Sequence, residues 1–120
     1  MTQAIVATTD GELGAVLVAE LEGEGFDVTW ASNGAEAVEL ASQGASILFL
    51  GVDLPVFDGL EVAAQLRADP DIPREFPIVL LAARDIEPHA IDAAGVNAVL
   101  PDAHTAQDVR ELVSRHLYPS

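Results

Sequence analysis

Residues 47–52 read Ile-Leu-Phe-Leu-Gly-Val, an apolar run in which no polar residue alternates. A strand with one wet face alternates polar and apolar side chains. An unbroken run is expected where both faces are covered, as in a parallel sheet sandwiched between helices. Residues 77–82 (PIVLLA) repeat the pattern, and 4–7 (AIVA) and 98–100 (AVL) are shorter versions. Residues 26–31 (FDVTWA) read as a further strand, rich in β-branched and aromatic side chains. Between these runs the period changes. Residues 12–24 place Leu13, Val16, Leu17 and Leu21 on one helical stripe. Helices are also predicted over 35–42, 60–68, from Pro88 to Gly95, and from a Thr105 cap, with Asp108 three residues on, through Leu117.

Five β–α units in one chain of 120 residues imply a single domain, 1–120, of the α/β class. The expected fold is doubly wound and five-stranded, with right-handed crossovers and helices on both faces. Such sheets carry their sites at the carboxyl ends of the strands, where the strand order reverses. The residues placed there are 8–10, 51–53, 82–84 and 101–104.

Composition narrows the function. Twenty acids face five arginines and no lysine, for a net charge of −15. Such a surface repels phosphate backbones and anionic lipid, so neither nucleic acid nor membrane is an expected partner. With no cysteine, thiol catalysis and disulfides are excluded. The first residues, MTQAIVATTDGE, hold no basic segment followed by a long apolar one, and the expectation is a soluble cytoplasmic protein. His89, His104 and His116 follow no metal-ligand spacing and read as surface residues, so no metal or cofactor is expected.

Four segments carry a family resemblance. Residues 54–62 read LPVFDGLEV, and residues 66–70 read LRADP. Residues 94–102 read AGVNAVLPD, and residues 22–28 (EGEGFDV) are followed by Ala31, Asn33-Gly34 and Glu36-Ala37. In this order and at these separations, the chain resembles the receiver domain of two-component response regulators over nearly its whole length. The resemblance implies a flavodoxin-like sheet of order 2-1-3-4-5. It also implies a site in which an aspartate ending strand three takes a phosphoryl group. There, two acids after strand one hold magnesium, and a hydroxyl after strand four and a lysine after strand five grip the phosphate.

Aligned on those segments, this chain carries Gly51 at the phosphoacceptor position and Thr8 and Thr9 at the acid pair, with Asp10 one place later. Ala82 stands at the hydroxyl position and Asp102 at the lysine position. The scaffold matches and the chemistry does not, so the expectation is a non-catalytic pseudo-receiver. It would bind a signalling protein, a histidine-kinase pathway component or a second copy of itself, independently of phosphorylation. Asp102 is read as accepting hydrogen bonds from the Thr8 and Thr9 hydroxyls. The alternatives are a genuine phosphorelay receiver that uses Asp53, and a small-ligand or ion sensor in the space vacated at Gly51 and Ala82. Asp58 needs only a turn role. The candidate interface residues are Trp30 on the second strand, Val18 on the outer side of the first helix, Val99 on the fifth strand and His104. For Trp30, packing against a neighbouring helix is the competing reading.

Overall fold

The computed structural model describes residues 2–81, 86–101 and 104–117. Five strands alternate with five helices: β1 Gln3–Ala7, α1 Gly11–Gly23, β2 Asp27–Ala31, α2 Gly34–Ser42, β3 Ile47–Gly51, α3 Gly59–Ala68, β4 Ile78–Leu81, α4 Pro88–Ala94, β5 Ala98–Leu100 and α5 Ala106–Leu117. All pairings are parallel, in the order β2-β1-β3-β4-β5. The doubly wound α/β architecture expected from the sequence is the one found.

The unbroken apolar runs become the centre of the sheet, and every residue of β3 and β4 is buried. Their pleat divides them between two cores. Ile5, Leu48, Leu50, Ile78 and Leu80 join Ala37 and Ala41 of α2, Val62, Ala63 and Leu66 of α3, and Ala94 of α4. Ala4, Val6, Ile47, Phe49, Val79 and Leu81 join Leu13, Leu17 and Leu21 of α1 and Val109, Leu112 and Val113 of α5. Each fully buried Leu, Ile or Phe contributes about 1.5–3 kcal/mol, so these two layers dominate folding.

Helix starts follow the caps. Asp10 accepts from the N–H groups of Glu12 and Leu13, and Asn33 from that of Glu36. Asp58 and Glu61 form a reciprocal capping box on α3, and Thr105 and Asp108 do the same on α5. Pro88 opens α4, and Gly95 ends it in the left-handed conformation. Three strands are shorter than expected: β4 begins at Ile78 and not Pro77, with Ala82 outside the described residues. Val52 leaves β3 because its carbonyl accepts from Leu54 and Gly59, which turns the chain. Phe26 precedes β2 and is buried in the α1–α5 layer.

Arg67 fastens the far end of α3. Its guanidinium donates to the carbonyls of Gly95 (2.9 Å), Arg74 (3.2 Å) and Phe76 (2.8 Å) and to Oδ1 of Asn97 (2.7 Å). Asn97 Oδ1 also accepts from the Ile78 N–H. One side chain thus joins α3 to both connections that lead into β4 and β5. Burial pushes the Arg67 pKa down by desolvation.

The β3–α3 turn holds one strained residue. Val56 has φ 72° and is 69 % exposed. A β-branched residue in this region costs about 1–2 kcal/mol, and an exposed valine returns little for it. Val56→Asn is therefore expected to stabilise the domain by about 1 kcal/mol, read as a higher urea midpoint with an unchanged slope. A lower midpoint would show that the valine makes contacts that outweigh its strain.

Candidate functional site

The strand order reverses between β1 and β3, and the residues that follow these two strands meet at that point. Thr8 lies at the centre of them and is buried. Its N–H donates to the Ala31 carbonyl (3.3 Å), and its hydroxyl oxygen accepts from the Asp10 N–H (3.1 Å). Its carbonyl accepts from the Trp30 indole N–H (2.9 Å). Thr9 reaches across the mouth and donates its hydroxyl to the Asp53 carbonyl (3.3 Å). Asp10 is engaged as the cap of α1.

Gly51 closes β3 opposite Thr8. A β-carbon built there would lie 3.1 Å from the Ala7 carbonyl oxygen, 3.3 Å from the Thr8 hydroxyl and 3.4 Å from Thr8 Cα. The position has no side chain, and one would fit only if Ala7 and Thr8 gave way by a few tenths of an ångström. The space expected beside Gly51 is therefore partly taken by Thr8. Asp53 is exposed, two residues beyond the strand. Ala82 and Asp102 lie outside the described residues. The expected bonds from the Thr8 and Thr9 hydroxyls to Asp102 therefore fall outside the described residues. Asp58, expected as a turn residue, caps α3.

The candidate interface residues divide. Trp30 lies over α1 at Gly14, where a β-carbon would overlap ring atoms Cζ2 and Cη2. With its N–H held by Thr8 and 39 % of its surface exposed, Trp30 is chiefly a packing residue. Val18 is half-buried against the α1–α5 core, and Val16 is the valine of α1 that faces outward, 49 % exposed. Val99 remains exposed on β5. His104 is not a surface residue: its side chain is 1 % exposed and bonds Glu20 of α1. The surface reading of the histidines holds for His89, which is well exposed, and fails for His104. Nε2 of His116 is buried with no hydrogen-bond partner. The Trp30–Gly14 contact had one sequence signal, a glycine inside a helical stretch, which commonly marks close packing.

A five-stranded parallel sheet of order 2-1-3-4-5 with its residues of interest at the β1/β3 crossover defines a flavodoxin-like fold. Residues 5–101 match the family model of the response regulator receiver domain, and the chain belongs to that family. It is 35 % identical over 95 residues to the uncharacterized transcriptional regulatory protein YkoG of Bacillus subtilis, covering 78 % of this chain and 40 % of that protein. To the alkaline phosphatase synthesis transcriptional regulatory protein PhoP of the same organism it is 38 % identical over 89 residues, covering 72 % and 36 %. The chain thus spans less than half the length of these relatives. Among solved structures it is similar to the receiver domain of the sensor histidine kinase PA1611 of Pseudomonas aeruginosa, with TM-score 0.81 and 25 % identity over 97 % of this chain and 98 % of that one. A putative response regulator from Chloroflexus aurantiacus gives TM-score 0.86 at 25 % identity, covering 97 % of each chain.

The structure of PA1611 is described with magnesium in its active-site cleft. The residues here do not suit that ion, which needs several hard oxygen ligands in near-octahedral array. Thr8 and Thr9 have engaged their hydroxyls, and one Asp10 oxygen holds two N–H groups of α1. Among the described residues no three His, Asp or Glu side chains cluster to hold a metal.

Gly14→Ala is expected to displace the indole of Trp30, the only tryptophan of the chain. Overpacking of this kind costs about 1–3 kcal/mol. The fluorescence emission of the variant should shift to the red and its melting temperature fall. An unchanged emission maximum would show that the ring does not rest on α1.

Proposed function

We propose that this chain is a receiver domain without phosphoryl-transfer chemistry, a non-catalytic module that binds a protein partner in two-component signalling in the cytoplasm. The observation that carries the reading is Gly51, at the end of β3, with Thr8 packed where a side chain would begin. Autophosphorylation needs a carboxylate nucleophile at the mouth of the sheet and charge stabilisation around the incoming group. The nearest carboxylate that follows β1, Asp10, is committed to the α1 cap. Asp53 lies beyond the strand, with its carbonyl tied to Thr9, and is a poor substitute nucleophile.

The partner is a component of a histidine-kinase pathway or a second copy of this chain. A receiver of this fold, that of Ssk1, has been crystallised with the phosphotransfer protein Ypd1 of Saccharomyces cerevisiae. Val16 on α1, Trp30 on β2, Val56 in the β3–α3 turn and Val99 on β5 are the exposed large apolar side chains among the described residues, available for such contact. A net charge of −15 favours a basic partner face and an association that weakens with salt. Among the described residues no helix is long and apolar enough to cross a membrane.

The test is direct. Incubated with acetyl phosphate and magnesium, the wild-type chain should gain no phosphoryl mass. Gly51→Asp should also remain unlabelled, and it should be less stable by about 1–3 kcal/mol, because a buried carboxylate is forced against Ala7 and Thr8. A labile phosphoryl group on the wild-type chain, mapped to Asp53 or Asp10, would overturn the reading in favour of a working receiver.

A further inference from the structure

His104 stands in the connection between β5 and α5, one residue before the Thr105 cap, with its side chain 1 % exposed. Nδ1 lies 3.1 Å from the carbonyl oxygen of Pro101, and Nε2 lies 3.0 Å from Oε1 of Glu20, whose side chain is 15 % exposed. A carbonyl oxygen never donates, and a carboxylate donates only when protonated. A neutral imidazole has one N–H, so with ionised Glu20 it satisfies one contact and sets lone pair against lone pair at the other. Both contacts are made together only when the pair holds one further proton, as imidazolium with carboxylate or as neutral ring with carboxylic acid.

We propose that His104 and Glu20 form a proton-dependent latch, which fastens His104, before α5, to the last turn of α1 while the pair holds that proton and releases it as pH rises. The pair is the buried polar link described between these segments. The other polar link joining α1 to α5, Arg110 with Glu24 at 3.5 Å, is half exposed, and pairs of that kind are worth little. α1 and its C-cap carry Glu12, Glu20, Glu22 and Glu24, α5 carries Asp108, Arg110, Glu111, Arg115 and His116, and Asp102 of the same connection lies outside the described residues. Asp108 is occupied by the Thr105 N–H, and Arg110 neutralises Glu24. Glu20 is therefore the carboxylate in contact with the ring. The sign follows. With the added proton the ring makes both contacts, and without it one of them sets lone pair against lone pair, so the link is complete at low pH and weakened as pH rises. Released, the connection and the outer side of α1 bearing Val16 are no longer held in one relative position. The latch thus sets the rigidity of the face nearest the strand ends without any phosphoryl chemistry.

Imidazole nitrogen NMR on the full chain across about pH 5–9 tests this, with backbone amides followed in the same samples. At the acid end both ring nitrogens of His104 should appear protonated, or Nε2 should share its proton with Glu20. The amides of Glu20, His104 and Thr105 should move with the same inflection, and those around exposed His89 should not share it. The isosteric Glu20→Gln variant removes the carboxylate without removing the packing. It should shift the His104 inflection to lower pH by about one unit. It should also flatten the fall in melting temperature that the wild type shows as pH rises. Two results would overturn the proposal: a His104 ring that stays singly protonated down to about pH 5, or a titration of the ring that the α1 amides ignore. A His104→Gln chain that fails to fold leaves both wild-type measurements and Glu20→Gln to decide.

Discussion

Thr8 is the residue through which the site and the fold meet. Its three polar groups and its bulk each fix a different neighbour: Ala31 on β2, Asp10 at the start of α1, Trp30 across the helix, and Gly51 on β3. A buried hydroxyl without a partner costs about 1–3 kcal/mol, and here the partner is the N–H that begins the next turn. The β1–α1 connection is thereby held by two bonds of the Thr8 backbone and by one that its side-chain oxygen accepts.

The acids that give the chain its charge divide into those that hold backbone and those that face solvent. Asp10, Asp58, Glu61 and Asp108 accept from N–H groups at the first turns of helices, where the helix dipole also favours a negative group. Each is spent on the start of its own helix. Most of the rest stand on exposed positions, where water and salt screen them. Arg67 is the opposite case. Its fork is taken up by three carbonyls and an amide oxygen rather than by a carboxylate, so it holds connections together without neutralising any acid.

Much of the fold was legible because the signals were local. An unbroken apolar run needs two covered faces, and β3 and β4 could hardly be read otherwise. The Thr105 cap and the Pro88 and Gly95 boundaries of α4 were equally plain, whereas Asp58 read only as a turn residue. The order of the strands was not in the periodicity and came from the family resemblance. What escaped was tertiary. Trp30 sits in an edge strand, and nothing in its neighbourhood says that the glycine it needs is Gly14 on another element. Val18 and Val16 lie two residues apart on one helix, and only the angle at which α1 meets the sheet decides which is half-buried. His104 is a polar residue in a connection, a composition that suggests exposure. Its burial depends on Glu20, 84 positions away.

The family match rests on residues that the fold needs, and this explains how it persists where the site residues differ. In the segment LPVFDGLEV, Asp58 and Glu61 cap α3. Gly59 lies so close to the Gly51 carbonyl that a β-carbon would collide with it. The Pro55 carbonyl accepts from the Gly34 N–H, and Gly34 in turn has no room for a side chain against Phe57. One turn thus fixes where α2 and α3 begin and how they lie against the end of β3. None of these contacts involves a phosphoryl group, and losing any one would cost packing or a cap. At the rim the Thr9 hydroxyl donates to the Asp53 carbonyl and the Thr8 hydroxyl oxygen accepts from the Asp10 N–H, beside Gly51, and neither core takes part. Scaffold and site are therefore separable in this fold: the turn that carries the resemblance is constrained by backbone contacts, and the rim is constrained only by what it must bind.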